Sequence, residues 1–363
     1  MKERKNSIDS VMKKGRGKFW LLFAVAIIGL AVSIILASSL GAFQVDPKTT
    51  YEILLYKIFG IGGASTQELL GSSNYNVIWL IRFPRILLGI IVGAGLALCG
   101  CVMQACVRNP LAEPYILGIS SGASLGATFS IMLGIGGVQF LNISGVSFWS
   151  FLGAMGAAIF VLTLSVLGGK ATSTKLILSG TVINAICTAF SNFIISVGSN
   201  KEGMQSIKFW TMGSLASAKW DSLWVPCLAT GICALFFLTQ TRKLNAMLMG
   251  DEVALTLGIH LNRSRYIYMI LVSLLTGVLV SYCGIIGFVG LMIPHVVRAL
   301  VGSDHRRLVP LVLLLGAIFL VWADAIARII IPNAELAIGI VTGMIGAPFF
   351  AYILIRKSYG YGE

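Results

Sequence analysis

Charged residues are scarce in this chain of 363 residues. Asp, Glu, Lys and Arg together make up 11% of it, whereas 57% of the residues are hydrophobic. A soluble protein of this length needs more polar surface than that to face water. The composition therefore excludes a soluble globular protein and places the chain in a lipid bilayer, where each span must satisfy its own backbone hydrogen bonds as a helix.

Motifs for catalysis and for nucleotide binding are also missing. The phosphate-binding pattern GxxxxGK[ST] does not occur, because Gly169-Lys170 is followed by Ala171 and lacks the upstream glycine. The seven cysteines lie in or beside apolar runs and form no CxxC pair, which is typical of buried small hydrophobic residues. We therefore expect that the chain is not an enzyme, that it does not bind ATP by itself, and that it binds no cofactor or metal.

Ionisable residues inside the apolar runs are few, and each leaves two interpretations open. Asp324 lies four residues before Arg328 on the same helical face, so a structural ion pair competes with a role as a proton relay. His295 has no second His or carboxylate at metal-ligand spacing, so helix packing or capping competes with a metal site. We favour the structural interpretation in both cases.

Long apolar runs are abundant and predict an all-α, polytopic membrane protein. Compared with a hydrocarbon core of about 30 Å, they predict ten helices at about residues 19–40, 85–107, 114–133, 147–169, 175–197, 221–241, 265–285, 287–301, 308–329 and 338–356. Residues 1–18 then form a basic tail and 19–363 a single transmembrane domain. The first run is too long for a signal peptide core, so we interpret it as a retained helix.

Positive charge is distributed unevenly between the predicted loops. Ten helices place both termini on one side, and most of the 27 Lys and Arg residues fall on that side. The positive-inside rule assigns it to the cytoplasm. The formal net charge of +13 then reflects topology, and no nucleic-acid partner is needed to explain it.

Glycine is frequent, with 41 residues, and recurs at four-residue spacing in three segments. Such ridges favour close contact between membrane helices. They consist of Gly89 and Gly93, of Gly118, Gly122 and Gly126, and of Gly339 and Gly343. We expect a compact bundle.

The loop at 241–265 is the longest one predicted on the cytoplasmic side. Its sequence predicts two short helices separated by a glycine, with an acidic N-cap on the second and methionine and leucine on the surface. The residues concerned are Met247, Met249, Gly250, Asp251, Glu252, Ala254, Leu257 and Gly258. Because methionine-rich apolar surface is unfavourable in water unless it is covered, the loop is either a docking element for another protein or a surface helix resting on its own bundle.

Three arginines fall on the predicted outer side, where cations are least expected. Arg82 and Arg85 lie at the start of the second predicted helix, and Arg328 lies near the outer end of the ninth. An acidic partner protein would account for them. The alternatives are pairing of Arg328 with Asp324 and anchoring of Arg82 and Arg85 at lipid headgroups.

An ordered set of motifs after residue 80 resembles the permease subunits of type II ABC importers for iron-siderophores, haem and cobalamin. The set includes Arg82-Phe83-Pro84-Arg85, Arg108-Asn109-Pro110-Leu111-Ala112-Glu113-Pro114, Phe209-Trp210-Thr211-Met212-Gly213, Gly250-Asp251, Leu257-Gly258, Gly287-Phe288-Val289-Gly290, Pro294-His295, Ala323-Asp324 and Gly346-Ala347-Pro348. Two positions depart from the family pattern: Asp251 stands where Glu is usual, and Ala337 where proline is usual.

The resemblance implies partners and site residues. It implies a dimer with a second permease subunit, identical or related, together with two cytoplasmic ABC ATPase subunits and an extracytoplasmic substrate-binding protein. It assigns Arg82, Arg85 and Arg328 to binding-protein docking and the 241–265 loop to ATPase docking. It places a cytoplasmic gate at Asn109, Leu111, Thr172, Ser173 and Thr174, although the last three also suit simple N-capping of the fifth helix.

The function expected on this basis is transport of an iron-siderophore through the bacterial cell membrane, with both termini cytoplasmic. Haem or cobalamin transport by the same kind of permease is the first alternative. An ion-coupled secondary carrier is the alternative from another class, and the scarcity of intramembrane carboxylates argues against it.

Overall fold

The structure is a computed structural model that describes residues 2–41, 43, 45–62, 71–137, 143–167, 173–198, 200–249, 256, 261–331 and 334–356, with backbone alone at 2–16, 173, 261–262, 354 and 356. This part of the chain is all-α. Its helices are α1 (Lys2–Ser39), α2 (Pro47–Phe59), α3 (Ser73–Val107), α4 (Ile119–Leu133), α5 (Gly145–Val166), α6 (Ser173–Val197), α7 (Lys201–Thr211), α8 (Trp224–Thr239), α9 (Thr241–Leu248), α10 (Leu261–Cys283), α11 (Val289–Val301), α12 (His305–Ile329) and α13 (Ile338–Arg356).

The predicted spans are present. Seven helices are long and apolar enough to cross a membrane, and three shorter apolar helices, α4, α11 and α13, complete the expected set within the described residues. Two helices begin well before their predicted spans, α1 at Lys2 and α3 at Ser73. Helix α3 passes through a π-helical stretch at Asn76–Arg82 before its α-helical part, so its extra turns lie at the end that carries Arg82.

The most buried span, α3, forms the centre of the bundle and packs against α12, α10 and α11. Two glycines allow the close approach. A Cβ atom added at Gly93 would lie 2.2 Å from the Gly316 carbonyl oxygen of α12, and one at Gly100 would lie 1.8 Å from that of Gly290 in α11. Backbones therefore touch directly at both crossings, as expected for small-residue packing in membranes.

The predicted glycine ridges take part in packing to different degrees. Added Cβ atoms at Gly122 and Gly126 would lie 2.3 and 2.0 Å from carbonyl oxygens of α5, so the second ridge is a close helix contact. In the third ridge, Gly339 meets the Met212 carbonyl, but Gly343 has nothing within 4 Å and takes no part. A four-residue spacing identifies a helix face but cannot show whether a neighbour covers it.

Two helices were not predicted. Asp46 accepts a hydrogen bond from the Lys48 amide and caps α2, where proline stands at the first position. Asn200 caps α7 by accepting one from the Gly203 amide. Both helices are too short to cross a bilayer, so a search for long apolar runs passes over them.

The two ends of the bundle differ in charge. One end, here called the basic end, is where α3 finishes and α12 begins, and α9 contacts both helices there. Its described cations include Arg108, Arg242, Lys243, Arg263, Arg265, Arg298, Arg306 and Arg307. The opposite end, where α1 finishes and α12 ends, holds Arg82, Arg85 and Arg328 and is here called the arginine end.

Candidate functional site

Arg82 holds the last turn of α1 at the arginine end. Its Nη1 atom donates to the carbonyl oxygens of Ser38 (2.8 Å) and Ser39 (3.0 Å), and its Nη2 atom donates to that of Phe43. The last carbonyls of a helix have no partner within the helix and carry partial negative charge. A buried guanidinium is therefore a suitable cap for this helix end.

Arg328 caps the same turn from α12. Its Nη2 and Nη1 atoms donate to the carbonyl oxygens of Ala37 and Leu40, each at 2.9 Å. Its Nε atom lies 3.1 Å from Asp324 Oδ2, an ion-pair distance without hydrogen-bond alignment. The ion pair expected from the four-residue spacing is thus present, and it lies in the interior rather than on a free surface.

Arg85 joins two carboxylates of unequal exposure. Its Nε atom donates to Asp324 Oδ1 at 2.8 Å, and its Nη1 atom donates to Glu335 Oε1 at 2.7 Å. The Asp324 side chain is 2% exposed and that of Glu335 is 44% exposed. One partner is therefore fixed in the core, and the other lies at the surface.

These three arginines line a common cavity of about 340 Å³. Its other walls are Gly41, Phe43, Val77, Ile81, Ala334 and Glu335. Of the alternatives left open by the sequence, pairing of Arg328 with Asp324 is present. All three arginine side chains are buried and each is bound by carbonyl or carboxylate oxygens, so none is a free surface cation.

At the basic end, α9 separates the two methionines that were expected to share a docking surface. Met249 is 67% exposed, but Met247 is fully buried together with Leu244. The prediction that Met247 forms part of an exposed surface is wrong, since α9 turns that side of the helix toward α3 and α12. The remaining residues of the predicted surface, Gly250, Asp251, Glu252, Ala254, Leu257 and Gly258, lie outside the described residues.

A polar clamp that sequence reasoning missed fastens α9 to the start of α12. Asn245 Nδ2 donates to Asp304 Oδ1 at 2.7 Å, and Asn245 Oδ1 accepts from the His305 amide at 2.8 Å and faces His305 Nδ1 at 2.7 Å. Burial raises the pKa of Asp304, but hydrogen bonds from Asn245 and the Arg306 amide, together with the charges of Arg306 and Arg307, outweigh it and hold that pKa below its usual value. A single Asn in a basic segment gives no sequence signal for such a contact.

The predicted gate residues are described in part. Arg108 adopts the left-handed conformation with φ of 54°, and it ends α3. Asn109 Oδ1 then accepts a hydrogen bond from the Leu111 amide at 2.9 Å, which makes a tight polar turn. Thr174 is exposed in the first turn of α6, whereas Thr172 and the side chain of Ser173 lie outside the described part.

A second link ties α3 to α11 near this end. Arg298 Nη2 donates to Gln104 Oε1 at 2.7 Å. His295, on the same helix as Arg298, packs edge-on against the Phe349 ring with centroids 6.3 Å apart, in agreement with the packing interpretation. Among the described residues, no group of three His, Cys, Asp or Glu side chains is placed to hold a metal ion.

The order of these motifs along a ten-span bundle matches one known family over almost the whole chain. The profile of the FecCD transport family covers residues 29–356. The chain belongs to the FecCD transport family. It is thus a multi-pass membrane transport component of the type II ABC importer permeases, as the resemblance implied.

Relatives and a solved structure support this assignment. The chain is 39% identical over 348 residues to the uncharacterized ABC transporter permease YvrB of Bacillus subtilis, covering 93% of this chain and 95% of that protein. It is 34% identical over 334 residues to the iron(3+)-hydroxamate permease FhuB of Bacillus subtilis, covering 91% of this chain and 82% of that protein. The hemin permease HmuU of Yersinia pestis is 36% identical, covering 77% of this chain and 84% of that protein. The cobalamin permease BtuC of Halobacterium salinarum is 38% identical, covering 77% of this chain and 73% of that protein.

The same fold occurs in a solved structure described as an inward-facing conformation of a metal-chelate type ABC transporter. It matches with a TM-score of 0.78 and 29% identity, covering 93% of this chain and 99% of that chain.

Proposed function

We propose that this chain is the membrane-spanning permease subunit of an importer that moves an iron-siderophore into the bacterial cytoplasm. It works as a dimer with an identical or related permease, together with two cytoplasmic ABC ATPases that use ATP and Mg²⁺ and an extracytoplasmic binding protein. The observation that carries the proposal is the family match over residues 29–356. The bundle also has a network of buried polar contacts at each end, around Arg85 and around Asn245.

The basic end is assigned to the cytoplasm because most of the 27 Lys and Arg residues of the sequence fall on that side of the predicted topology. Both termini then face the cytoplasm. The exposed Met249 supports ATPase docking on this side, since it leads directly into Gly250, Asp251, Glu252, Ala254, Leu257 and Gly258. Asn109, Leu111, Thr172, Ser173 and Thr174 are proposed to form the gate at the same end.

The arginine end is assigned to binding-protein docking through Arg82, Arg85 and Arg328. The 340 Å³ cavity supports this, because it offers guanidinium groups to a carboxylate from outside. The three arginines have different roles in this proposal. Arg82 and Arg328 hold the end of α1 at the cavity wall, whereas Arg85 binds the exposed side chain of Glu335.

The substrate class rests on the named relatives, one of which is a hydroxamate permease. Hemin and cobalamin permeases at similar identity keep haem and cobalamin as alternatives. An ion-coupled carrier is disfavoured because the buried carboxylate of Asp324 is already bound by two guanidinium groups and is poorly placed to carry a proton.

Uptake by the reconstituted transporter tests the proposal. The permease is incorporated into proteoliposomes with its ATPase and binding protein, and accumulation of ferrichrome, haemin and cyanocobalamin is compared with internal ATP, without ATP, and with a proton gradient alone. We expect ATP-dependent accumulation of the ferric siderophore. Accumulation driven by the proton gradient without ATP would refute the importer assignment, and ATP-dependent uptake of haemin or cobalamin alone would refute the substrate.

A further inference from the structure

Arg85 differs from the other two arginines of the cavity in the kind of partner it binds. Arg82 and Arg328 direct their terminal nitrogens at backbone carbonyls of α1 and the residues that follow it. Those acceptors belong to the folded chain and cannot leave without undoing the end of the helix. Arg85 instead donates through Nη1 to a side chain, that of Glu335, which is 44% exposed.

Glu335 is also held less firmly than Asp324. It lies on the connection between α12 and α13, just before the point where the Leu336 amide donates to the Ala327 carbonyl and the Ile338 amide to the Gly213 carbonyl. The backbone is thus anchored next to Glu335, while its side chain reaches into the cavity wall. Arg85 is 7% exposed, but Glu335 is 44% exposed, so water reaches one side of the pair. Separating the two groups therefore costs less than separating a fully buried pair, and an incoming carboxylate can compete with Glu335 for Arg85.

Charge and space both suit an incoming carboxylate. The network contains three guanidinium groups and the two carboxylates of Asp324 and Glu335, so it retains positive charge even when Glu335 is bound. The adjoining cavity of about 340 Å³ is large enough for the carboxylate end of an Asp or Glu side chain. Replacing Glu335 by an external carboxylate would preserve the charge balance around the buried Arg85.

We propose that Arg85 is a carboxylate-exchange site, in which Glu335 occupies the guanidinium of the undocked protein and a carboxylate of an acidic protein partner replaces it on docking. This inference rests on the proposed docking of a binding protein at the arginine end. Glu335 then acts as an internal competitor that weakens docking and keeps Arg85 paired between docking events.

The expected change in the Kd of the binding protein follows from the fraction of time that Glu335 occupies Arg85. A site that is free only a fraction of the time binds its ligand more weakly by that fraction, so a competitor present nine-tenths of the time weakens binding about tenfold. Glu335→Gln keeps the side-chain size but removes the charge. We expect it to lower the Kd of the binding protein about three- to tenfold.

The docking experiment uses the assembled permease–ATPase complex in nanodiscs and the binding protein that stimulates its ATP hydrolysis. The Kd is measured for the wild type, Glu335→Gln, Arg85→Gln and the control Glu202→Gln, which removes an exposed carboxylate of α7 at the same end. Tighter docking in Glu335→Gln alone supports exchange. Weaker docking in Arg85→Gln with no gain in Glu335→Gln overturns exchange but leaves the docking site in place, whereas unchanged Kd in both variants refutes docking at this site.

A second measurement needs no partner and covers the case in which Arg85→Gln fails to fold. Glu335→Ala vacates the site, and sodium acetate supplies a free carboxylate. We expect acetate, compared with sodium chloride at equal ionic strength, to raise the unfolding temperature of Glu335→Ala but not that of the wild type. An equal response of both proteins would overturn the exchange site even if docking occurs at the arginine end.

Discussion

Replacing Asp324 tests whether the arginine network holds the arginine end of the bundle together. Asp324 is buried in α12 and lies 2.8 Å from Arg85 Nε and 3.1 Å from Arg328 Nε. Asp324→Asn keeps the shape of the side chain but removes its charge. Two buried guanidinium groups would then lose the counter-ion that they share, and one of them also holds α1.

The expected loss is large for a single isosteric change. Removing one partner of a buried ion pair costs about 3 to 5 kcal/mol because the remaining charge stays buried without compensation. Here two charges lose a shared partner, although Glu335 still pairs with Arg85, so we expect a loss near that range. Asp221→Asn is the control, since Asp221 lies exposed in the Trp220–Ser222 turn and should change stability by less than about 0.5 kcal/mol.

The free energy of unfolding can be measured by titrating the purified chain in mixed micelles with sodium dodecyl sulfate and following tryptophan fluorescence. Refolding from the denatured end of the titration checks reversibility. If Asp324→Asn unfolds within about 1 kcal/mol of the wild type while Asp221→Asn is also unchanged, the network contributes little to stability, and the buried-pair argument does not apply here.

Three further predictions concern other contacts. Asn245→Asp places a second carboxylate beside Asp304 and should destabilise the protein by about 1 to 3 kcal/mol. The Asn245→Asp/Asp304→Asn double variant exchanges the amide and the carboxylate, so a donor again faces an acceptor and much of the lost stability should return in the same titration. No recovery would contradict the clamp. Gly100→Leu should force α3 and α11 apart and lower the yield of folded protein, whereas Gly231→Ala, which meets nothing within 4 Å, should not. Met249→Glu should weaken ATPase capture in a pull-down without changing stability, whereas Met247→Glu should lower stability, because only Met247 is buried; equal behaviour of the two variants would contradict this division.

The membrane spans could be predicted from the sequence because hydrocarbon imposes a minimum length of apolar residues on each helix. That constraint does not act on α2 and α7, which are short and begin at the polar caps Asp46 and Asn200. The Asp324–Arg328 pair was predictable for a similar reason, since four-residue spacing places both side chains on one helical face. Local structure can therefore be predicted from the sequence where one physical constraint determines it, such as the length of a membrane span or the four-residue spacing of a helical face.

The arginine network was not predictable in its main feature. Arg82 and Arg328 bind carbonyl groups of Ala37, Ser38 and Ser39, about 40 and 290 residues away along the chain. Because every residue has a backbone carbonyl, the sequence does not show which of them a distant arginine will bind. A cation in a predicted outer loop therefore looks the same whether it faces a partner or caps another helix. The burial of Met247 was missed although Leu244 and Met247 are three residues apart and share the apolar face of α9.

The position of α12 gives these contacts a common consequence. Its first turn is fastened to α9 through Asp304, His305 and Asn245, beside the proposed ATPase surface, and its last two turns carry Asp324 and Arg328 at the proposed docking cavity. Between them, Gly316 lets α12 lie directly on α3. A carboxylate that replaces Glu335 on Arg85 would therefore act on a helix whose other end touches the proposed ATPase side. Both proposed docking events thus lie on one packed element, which is the physical basis for coupling between them. A double-mutant cycle between Asn245→Asp and Glu335→Gln, measured as binding-protein stimulation of ATP hydrolysis, should show non-additive effects; strict additivity would mean that the two ends act independently.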